Sequence, residues 1–381
     1  MKFTVASGPF KESLTAREAA ETMALGIRRV PQARSAEIVS IPMADGGEGT
    51  VAAMVEATGG RFVTATVTGP LGTPVQATFG VLGDGKTAVI EMASASGLML
   101  VPHEQRDPLL TTTRGTGELI RAALDLGVQH IIIGIGGSAT VDGGCGMAAA
   151  LGVRLLDRKG KPIGLGGGAI YRLAHIDISD RDPRLAAVRL DVACDVDNPL
   201  LGQQGAARVY GPQKGATPET VEILEGNLKH LAALIRRDLG VDVADQPGAG
   251  AAGGLGAGLV AFLGARLRRG IDIVAEALRL EERLQGSDLV LTGEGRLDEQ
   301  SIHGKVVSGV ARAAHSRDIP VIVLAGALGE GCERILSHGV TAYFAIIPTP
   351  GTLADTMRKA RDNLQRTAEQ AVRAFLAGRR A

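Results

Sequence analysis

The sequence predicts an α/β fold of two α/β domains, in which a parallel-sheet domain is interrupted by an inserted, mixed α/β domain. Strands in the first 60 residues and the last hundred are nearly continuous apolar runs that alternate with helices, as in parallel sheets. The middle of the chain instead carries short strands separated by turn residues. The length of 381 residues is also typical of two domains.

The first part of the chain predicts two successive strand–helix units. Lys2–Ser7 is β-type sequence, and Ser13 or Thr15 is placed to cap the helix that follows. Glu37–Ile41 is the second predicted strand, and the glycine-rich residues after it lead into a second helix. This alternation is the beginning of a parallel sheet.

The middle of the chain predicts an antiparallel meander, because glycine-containing turns separate three short strands. The meander strands are Phe62–Thr68, Val75–Val81 and Thr87–Met92. Helix and strand then alternate again. The further predicted elements are a helix at Thr113–Leu126, strands at Ile131–Ile133 and Leu190–Cys194, and a helix at Thr217–Leu239.

The last third returns to buried strands that alternate with helices. Its predicted elements are strands at Asp288–Thr292, Pro320–Ala325 and Ala342–Ile347, and helices at Ile302–Ala314 and Leu353–Leu376. Because this pattern matches the first 60 residues, residues 1–60 and 285–381 are predicted to form one discontinuous domain. Residues 61–284 are then the inserted domain.

Composition and charge exclude several classes of function. Lysine and arginine number 41, as do aspartate and glutamate, so the chain lacks the basic excess of nucleic-acid-binding proteins. Three widely spaced cysteines predict neither disulfides nor a zinc site and favour a cytoplasmic location. The uncharged run Gln246–Ala265 contains seven glycines, and it predicts a buried loop and helix instead of a membrane span.

Two short phosphate-binding patterns occur without their structural context. Gly80–Thr87 matches the P-loop expression, yet Asp84 and Gly85 favour a hairpin turn and the residues after them favour a strand. Gly248–Gly253 matches the dinucleotide-binding expression, yet no strand is predicted before it. Both matches are interpreted as chance, although a glycine-rich loop that opens a helix can still bind an anion.

Five glycine-rich segments carry polar side chains at predicted strand ends or helix starts. They are Met43–Gly49, Ile135–Gly144, Cys194–Leu200, Gly211–Ala216 and Thr292–Lys305. Ligands of open α/β sheets bind outside the carboxyl ends of the strands, so these segments together predict a large polar cleft. Asp and Asn before Gly also make ordinary turns, and for each segment alone that interpretation stays open.

Carboxylates and lysines in such loops suit phosphoryl transfer. That reaction needs oxygen ligands for a divalent cation, positive charge on the transferred group and a base near the attacking hydroxyl. The candidate oxygen ligands and bases are Asp195, Asp197, Glu294 and Asp298. The candidate sources of positive charge are Lys11, Lys214 and Lys305.

Six longer motifs, in order and over nearly the whole chain, carry a resemblance to a known family. They read PMADGGEGT, GIGGSAT-x-DGG, ACDVDNPL, GPQKGAT, PGAGAAGGLGAG and LTGEGRLDEQSIHGK. The sequence resembles the type-1 glycerate kinase family. The resemblance implies phosphorylation of D-glycerate with ATP and Mg²⁺, with 2-phosphoglycerate the usual product of bacterial members in glyoxylate, glycolate or sugar-acid breakdown. It also implies a Rossmann-like α/β domain interrupted by a second α/β domain, with a cleft between them.

The resemblance and the residue chemistry together imply a set of site residues. The expected catalytic residues are Lys11, Asp45, Asp195, Asp197 and Lys214. The residues expected to bind ATP are Ser13, Gly136, Gly137, Ser138, Asp142, Gly143, Gly144, Gly295, Arg296 and Lys305. The expected metal ligands are Glu294 and Asp298.

Each expected role has a structural alternative. One carboxylate among Asp45, Asp195 and Asp197 is expected to take the proton from the attacking hydroxyl. Asp195 and Asp197 would lie on the same face of the sheet if they belonged to a strand, but Asp197 also suits a turn. The paired glycines at 136–137 and 143–144 offer backbone donors, or else they allow close packing. Lys305 begins a predicted helix whose N-terminus favours anions.

Two positions depart from the family pattern. The family's first loop usually reads Pro-Asp-Ser-Phe-Lys-Gly-Ser, whereas residues 7–13 read SGPFKES, so Gly8 stands where the family has its aspartate. If that aspartate helps catalysis in the family, either Glu12 compensates here or the role lies elsewhere. Val141 replaces an asparagine of the second motif.

For His303, a capping or packing role is favoured over proton transfer.

Two other functions compete with the kinase: a catalytically impaired nucleotide- or carboxylate-binding protein, and a dinucleotide-dependent oxidoreductase. Binding without ATP consumption would favour the first, and failure to bind NAD(H) would dismiss the second. The sequence leaves open which hydroxyl is phosphorylated, which domain binds adenine, and whether the chain forms a homo-oligomer.

Overall fold

The chain folds into two compact units. The computed structural model describes residues 1–302 and 305–379, so the expectation for His303 lies outside the described residues. One unit consists of Met1–Asp45, Ala52–Thr58 and Gly270–Ala381, and the other of Gly46–Val51 and Gly59–Arg269. The last segment of the first unit thus begins at Gly270, before the boundary expected at residue 285. The assignment of the units as independent domains stays a prediction.

The β-strands alternate with helices along most of the described chain. The strands are β1 (Lys2–Ser7), β2 (Glu37–Pro42), β3 (Arg61–Thr68), β4 (Pro74–Val81), β5 (Thr87–Glu91), β6 (His130–Gly134), β7 (Arg154–Leu156), β8 (His175–Asp177), β9 (Arg189–Ala193), β10 (Arg266–Arg268), β11 (Leu289–Leu297), β12 (Val321–Leu328) and β13 (Ala342–Ala345).

Helices cover the sheets and connect their strands. The α-helices are α1 (Ala16–Arg28), α2 (Thr50–Thr58), α3 (Ala93–Ser96), α4 (Arg114–Asp125), α5 (Cys145–Ala150), α6 (Ala206–Tyr210), α7 (Pro218–Leu239), α8 (Ala251–Leu263), α9 (Gly270–Ala277), α10 (Leu280–Leu284), α11 (Val306–His315), α12 (Leu353–Arg358) and α13 (Ala360–Gly378). Short 3₁₀ helices are at Pro31–Ala33, Leu98–Leu100, His103–Gln105, Gly167–Arg172, Pro183–Ala187, Pro212–Lys214, Glu299–Ile302 and Cys332–His338.

The first unit contains a five-stranded sheet in the order β13-β12-β11-β1-β2, and each neighbouring pair is parallel. Helix α1 returns the chain from β1 to β2. It begins with a capping box, in which Thr15 accepts from the Glu18 amide and the Glu18 carboxylate accepts from the Thr15 amide. Because all five strands run in one direction, the segments after β1, β2 and β11 emerge at the same sheet edge.

The second unit contains a six-stranded sheet in the order β10-β9-β6-β5-β4-β3. Strands β10, β9, β6 and β5 are parallel, whereas β3 and β4 complete an antiparallel meander with β5. The segment Gly80–Thr87 is the β4–β5 hairpin, in which the Leu82 amide donates to the Thr87 carbonyl at 2.9 Å. The P-loop match is therefore a turn, as predicted.

Each unit has its own hydrophobic core beneath its sheet. Phe3 and Leu291 belong to the core of the first unit. Ile133 and Phe262 belong to that of the second. The predicted α/β fold, with one parallel and one mixed sheet, is confirmed.

Two sequence-based expectations change in detail. Strand β11 continues to Leu297 instead of ending at Thr292, because it pairs with β12 along that whole length. The single closing helix is divided at Lys359, whose φ of −93° and ψ of 3° depart from helical values. No helix among the described residues combines the length and apolarity that a bilayer crossing needs.

Two helical glycines predict opposite effects on stability. A Cβ atom on Gly26 would lie 2.4 Å from the Gln365 carbonyl oxygen of α13, whereas one on Gly226 of α7 would meet nothing within 4 Å. We expect Gly26→Ala to lower the free energy of unfolding by about 1–3 kcal/mol through overpacking. Gly226→Ala, the control, should raise it by about 0.5–1 kcal/mol through helix propensity. Urea unfolding measures both, and equal effects would contradict the described packing.

Candidate active site

A buried lysine contacts the loop that follows β6 in the second unit. Lys214 exposes only 1% of its surface, and its Nζ donates hydrogen bonds to Ser138 Oγ and to the Thr140 carbonyl oxygen, each at 2.7 Å. Burial lowers the pKa of Lys214 to about 7, while attraction to Asp142 acts in the opposite direction. The ammonium is thus close to losing its charge at neutral pH.

Glycines fix the backbone on both sides of this contact. Gly215 has a φ of +96°, and a Cβ there would lie 2.1 Å from the Arg106 carbonyl oxygen. Gly253 has a φ of +68°, and a Cβ there would lie 1.9 Å from the Thr140 carbonyl oxygen that accepts from Lys214. The segment that matched the dinucleotide pattern therefore packs behind Thr140. No strand precedes it, so the pattern does not mark a Rossmann site.

The Asp142 carboxylate organises the same loop from within. It is fully buried, and its oxygens accept from the Thr113 amide and hydroxyl and from the amides of Gly144 and Gly146. Burial raises the pKa of Asp142, and these four donors oppose the rise. The Asp142 side chain thus holds together the turn between β6 and α5, and its expected role in ATP binding stays a prediction.

The two glycine pairs of this loop differ in accessibility. Gly136 and Gly137 are exposed, and a Cβ on Gly136 would meet nothing within 4 Å. Gly143 and Gly144 are buried, and their amides already donate to the Gly253 carbonyl and to Asp142. The first pair remains a candidate source of backbone donors. The second pair is used in close packing, and its expected role in ATP binding stays a prediction.

The acidic residues after β9 lie in a loop. Strand β9 ends at Ala193, so Asp195 and Asp197 do not share a strand face, and both are exposed. The structure nevertheless links this loop to the lysine site. Tyr210 donates its hydroxyl to Asn198 Oδ1 at 2.7 Å, and its ring centroid lies 6.0 Å from Lys214 Nζ.

The loop after β1 packs against β11 in the first unit. The Gly8 amide donates to the Gly293 carbonyl at 3.0 Å, and a Cβ on Gly295 would lie 3.3 Å from the Lys11 amide nitrogen. Gly295 therefore permits the close approach of this loop. Ser13 donates its hydroxyl to the Phe10 carbonyl, so in this structure the Ser13 side chain closes the turn.

Glu12 has a backbone conformation that favours glycine. Its φ is +63°, in the left-handed region, where a side chain costs about 1–2 kcal/mol. The resembled family carries glycine at this position, which the conformation explains. The Glu12 side chain is exposed, and no contact in the described residues shows it replacing the family's acidic residue at Gly8.

Glu294 interacts electrostatically with two other carboxylates of the first unit, Asp298 and Asp45. It lies within β11, so the expectation of a loop after the strand is corrected. Burial, with smaller contributions from Asp298 and Asp45, raises the pKa of Glu294 to about 7, although Ser301 and Lys305 act to lower it. Its Oε1 atom is buried and has no hydrogen-bond partner among the described residues.

The other polar residues of this sheet edge are more exposed. The exposed Arg296 pairs with Asp298, with 3.0 Å between Nε and Oδ2. Lys305 forms the N-cap of α11, as predicted, and Lys11 is exposed. The described residues contain no cluster of three or more side chains suited to hold a metal ion. In the first unit, the charges of Asp298, Asp45 and Lys305 all act on the pKa of Glu294.

Sequence reasoning missed three residues of these sites. Thr140 and Tyr210 contact Lys214, and Tyr210 lies four residues before it, a helical spacing that could have indicated proximity. Glu91, at the end of β5, accepts from the Val51 amide at 2.9 Å and thereby holds the start of α2. An acidic residue at the end of an apolar strand was the available signal.

Comparisons with known proteins agree with this architecture. Residues 3–376 match the Glycerate kinase family. The chain is 55% identical to a protein named glycerate kinase from Bacillus subtilis (strain 168), over 97% of this chain and 96% of that protein. It is 53% identical to a protein named glycerate 2-kinase from Escherichia coli (strain K12), over 100% of this chain and 99% of that protein. A crystal structure assigned as glycerate kinase 2 from Salmonella typhimurium LT2 has a TM-score of 0.92 and 54% identity, with complete coverage of both chains.

These relationships establish the class of protein. The chain is an α/β enzyme that acts as an ATP-dependent kinase. It belongs to the glycerate kinase family, so the resemblance found from its six motifs is confirmed.

The Asp142 network predicts a large stability loss on a small change. In Asp142→Asn, the new amide would direct its own donors at backbone N–H groups. We expect the free energy of unfolding to fall by about 2–4 kcal/mol, because buried donors are left unpaired. Asp245→Asn, which removes the same charge from an exposed residue, should change it by less than about 0.5 kcal/mol. Urea unfolding compares the two, and equal stabilities would show that Asp142 does not organise the loop.

Proposed function

We propose that this kinase transfers the γ-phosphoryl group of ATP to a hydroxyl of D-glycerate, giving 2-phospho-D-glycerate, with 3-phospho-D-glycerate as the alternative product. The full-length relationship to the protein named glycerate 2-kinase carries the proposal. A buried lysine and the interacting carboxylates of the first unit support it, since phosphoryl transfer needs positive charge, a metal ion and a proton acceptor.

In the second unit, Lys214 would supply positive charge to an anionic group. Its ammonium is held by two uncharged acceptors, Ser138 Oγ and the Thr140 carbonyl. An arriving phosphate or carboxylate therefore meets a cation that no described carboxylate already neutralises by direct contact. The exposed backbone at Gly136 and Gly137 would contribute donors from the same loop.

In the first unit, Glu294 and Asp298 would hold Mg²⁺. The buried, unpartnered Oε1 of Glu294 is a hard oxygen ligand, and Asp298 and Asp45 lie close enough to raise the Glu294 pKa. Protein sites commonly bind Mg²⁺ through one or two carboxylates, with water and substrate phosphates completing the shell, so two residues suffice. The ion would neutralise charge on the phosphates, and Lys305 would add to that effect.

The proton acceptor for the glycerate hydroxyl would be Asp45. Asp45 is half-buried and interacts electrostatically with Glu294, whereas Asp195 and Asp197 are exposed. A carboxylate can accept this proton late in the reaction, when transfer is already under way. We further propose a cytoplasmic role in glyoxylate, glycolate or sugar-acid breakdown, as the family resemblance implies.

Phosphorus NMR of the reaction product tests activity and position together. D-glycerate with ATP and Mg²⁺ should give a new phosphate-ester resonance split into a doublet, because carbon 2 carries a single hydrogen. A triplet would identify the 3-phosphate, since carbon 3 carries two hydrogens. Binding of both substrates without ADP formation would contradict kinase activity on glycerate and favour a binding protein.

The interaction of Glu294 with Asp298 predicts a sensitive position at Asp298. We expect Asp298→Asn to lower kcat by roughly a hundredfold or more, because a weakened metal site loses stabilisation of the transition state. Raising the Mg²⁺ concentration should restore part of the rate. Asp362→Asn, at an exposed position of α13, is the matched control and should retain full activity. A decrease of less than threefold in the folded Asp298 variant would remove it from the site.

A further inference from the structure

The Lys214 ammonium has unused hydrogen-bonding capacity inside the second unit. An ammonium group carries three donors, and two are used by Ser138 Oγ and the Thr140 carbonyl. No acceptor in the described part of the chain takes the third. Because Lys214 is only 1% exposed, bulk water cannot accept a hydrogen bond from the third donor as it would at the protein surface.

A second buried group in the same loop also lacks a partner. Thr140 is fully buried, and its Oγ1 atom makes no hydrogen bond with any described residue. The loop is open on its other side, where Gly136 and Gly137 are exposed. An unused cationic donor and an unused hydroxyl next to an accessible turn are the requirements of a site for an anionic oxygen group.

Among the described residues, Asp142 is the one charged side chain whose attraction acts on the Lys214 pKa. Asp142 attracts the ammonium, but both Asp142 oxygens are taken by the Thr113, Gly144 and Gly146 donors. Tyr210 faces the ammonium with its ring, while its hydroxyl donates to Asn198. Burial without a contacting counter-ion lowers the Lys214 pKa to about 7. A bound anion would therefore serve as the counter-ion of Lys214.

We propose that Lys214 and Thr140 bind an anionic oxygen group of a substrate and that this binding takes up a proton from solution. The neutral amine of Lys214 gains the proton, and the resulting ammonium pairs with the bound anion. Thr140 donates its hydroxyl to the same group. This inference rests on the proposed kinase function for the identity of its ligands.

Two sources could supply the anionic group: the carboxylate of glycerate or a phosphate of the nucleotide. Calorimetry distinguishes them when each ligand is titrated alone, D-glycerate in one arm and ADP in the other. Each titration is repeated at pH 7.5 in Tris and in HEPES, because the difference in buffer ionisation enthalpy reports the protons taken up. The ligand that uses the site shows uptake, and the other does not.

For that ligand we expect uptake of roughly 0.5–0.75 proton per site, since a lysine with a pKa of about 7 is only about one-quarter protonated at pH 7.5. Lys214→Met should abolish the uptake and weaken binding at least tenfold. Lys229→Met, which removes an exposed lysine of α7, is the control and should retain both the proton uptake and the affinity for the ligand. Circular dichroism verifies that the variants are folded.

Thr140→Val separates ligand binding from a structural role. The change removes a hydroxyl that has no partner, so the unfolding midpoint should stay constant or rise. Affinity for the ligand that takes up the proton should nevertheless fall roughly tenfold. A variant that loses stability and keeps its affinity would show that Thr140 acts on folding alone.

The inference fails if wild type and Lys214→Met take up equal numbers of protons with both ligands, or if neither ligand binds. The proposed function fails separately. Proton uptake without any phosphorylated product would leave the anion site in place and remove glycerate kinase activity. Product formation without proton uptake would contradict the anion site and leave the glycerate kinase activity in place.

Discussion

A buried ammonium group held only by uncharged acceptors is the constraint on which the second unit's site depends. Lys214 contacts Ser138 and Thr140, and no contacting carboxylate neutralises it within the described residues. Burial of a cation is unfavourable unless the cation is paired, so this site favours either release of the proton or arrival of an anion. An enzyme whose two substrates are both anions can use that preference to couple protonation to binding.

The first unit contains an acidic group whose pKa is shifted in the direction opposite to that of Lys214. Glu294 is half-buried, with one buried carboxylate oxygen, and its pKa rises to about 7, whereas Lys214 is a buried amine whose pKa falls to about 7. In both, burial is the main cause of the pKa shift. Asp142 opposes the shift of Lys214, whereas Asp298 and Asp45 add to the shift of Glu294. Titratable groups with strongly shifted pKa values are typical of functional sites, because the protein maintains an unfavourable charge state that a ligand or metal ion can relieve.

Much of the fold could be predicted from the sequence, because apolar runs and turn residues act locally. The strands at Lys2–Ser7 and His130–Gly134 and the capped helix α1 follow from such patterns. The contact between Lys214 and Thr140 could not be derived, since it joins residues 74 positions apart and depends on packing around Gly253. The sequence left the setting of Asp197 open between a strand face and a turn, and the structure places it in the loop after β9.

The charge state of Lys214 is the most direct test of this account. Selective ¹³C labelling of lysine, with the Lys214 signal assigned by its absence from Lys214→Met, allows its titration to be followed by NMR. We expect a midpoint near pH 7 in the free enzyme and a rise of at least one unit when the anionic ligand is bound. A midpoint close to the ordinary lysine value of about 10.4, unchanged by ligand, would contradict the account.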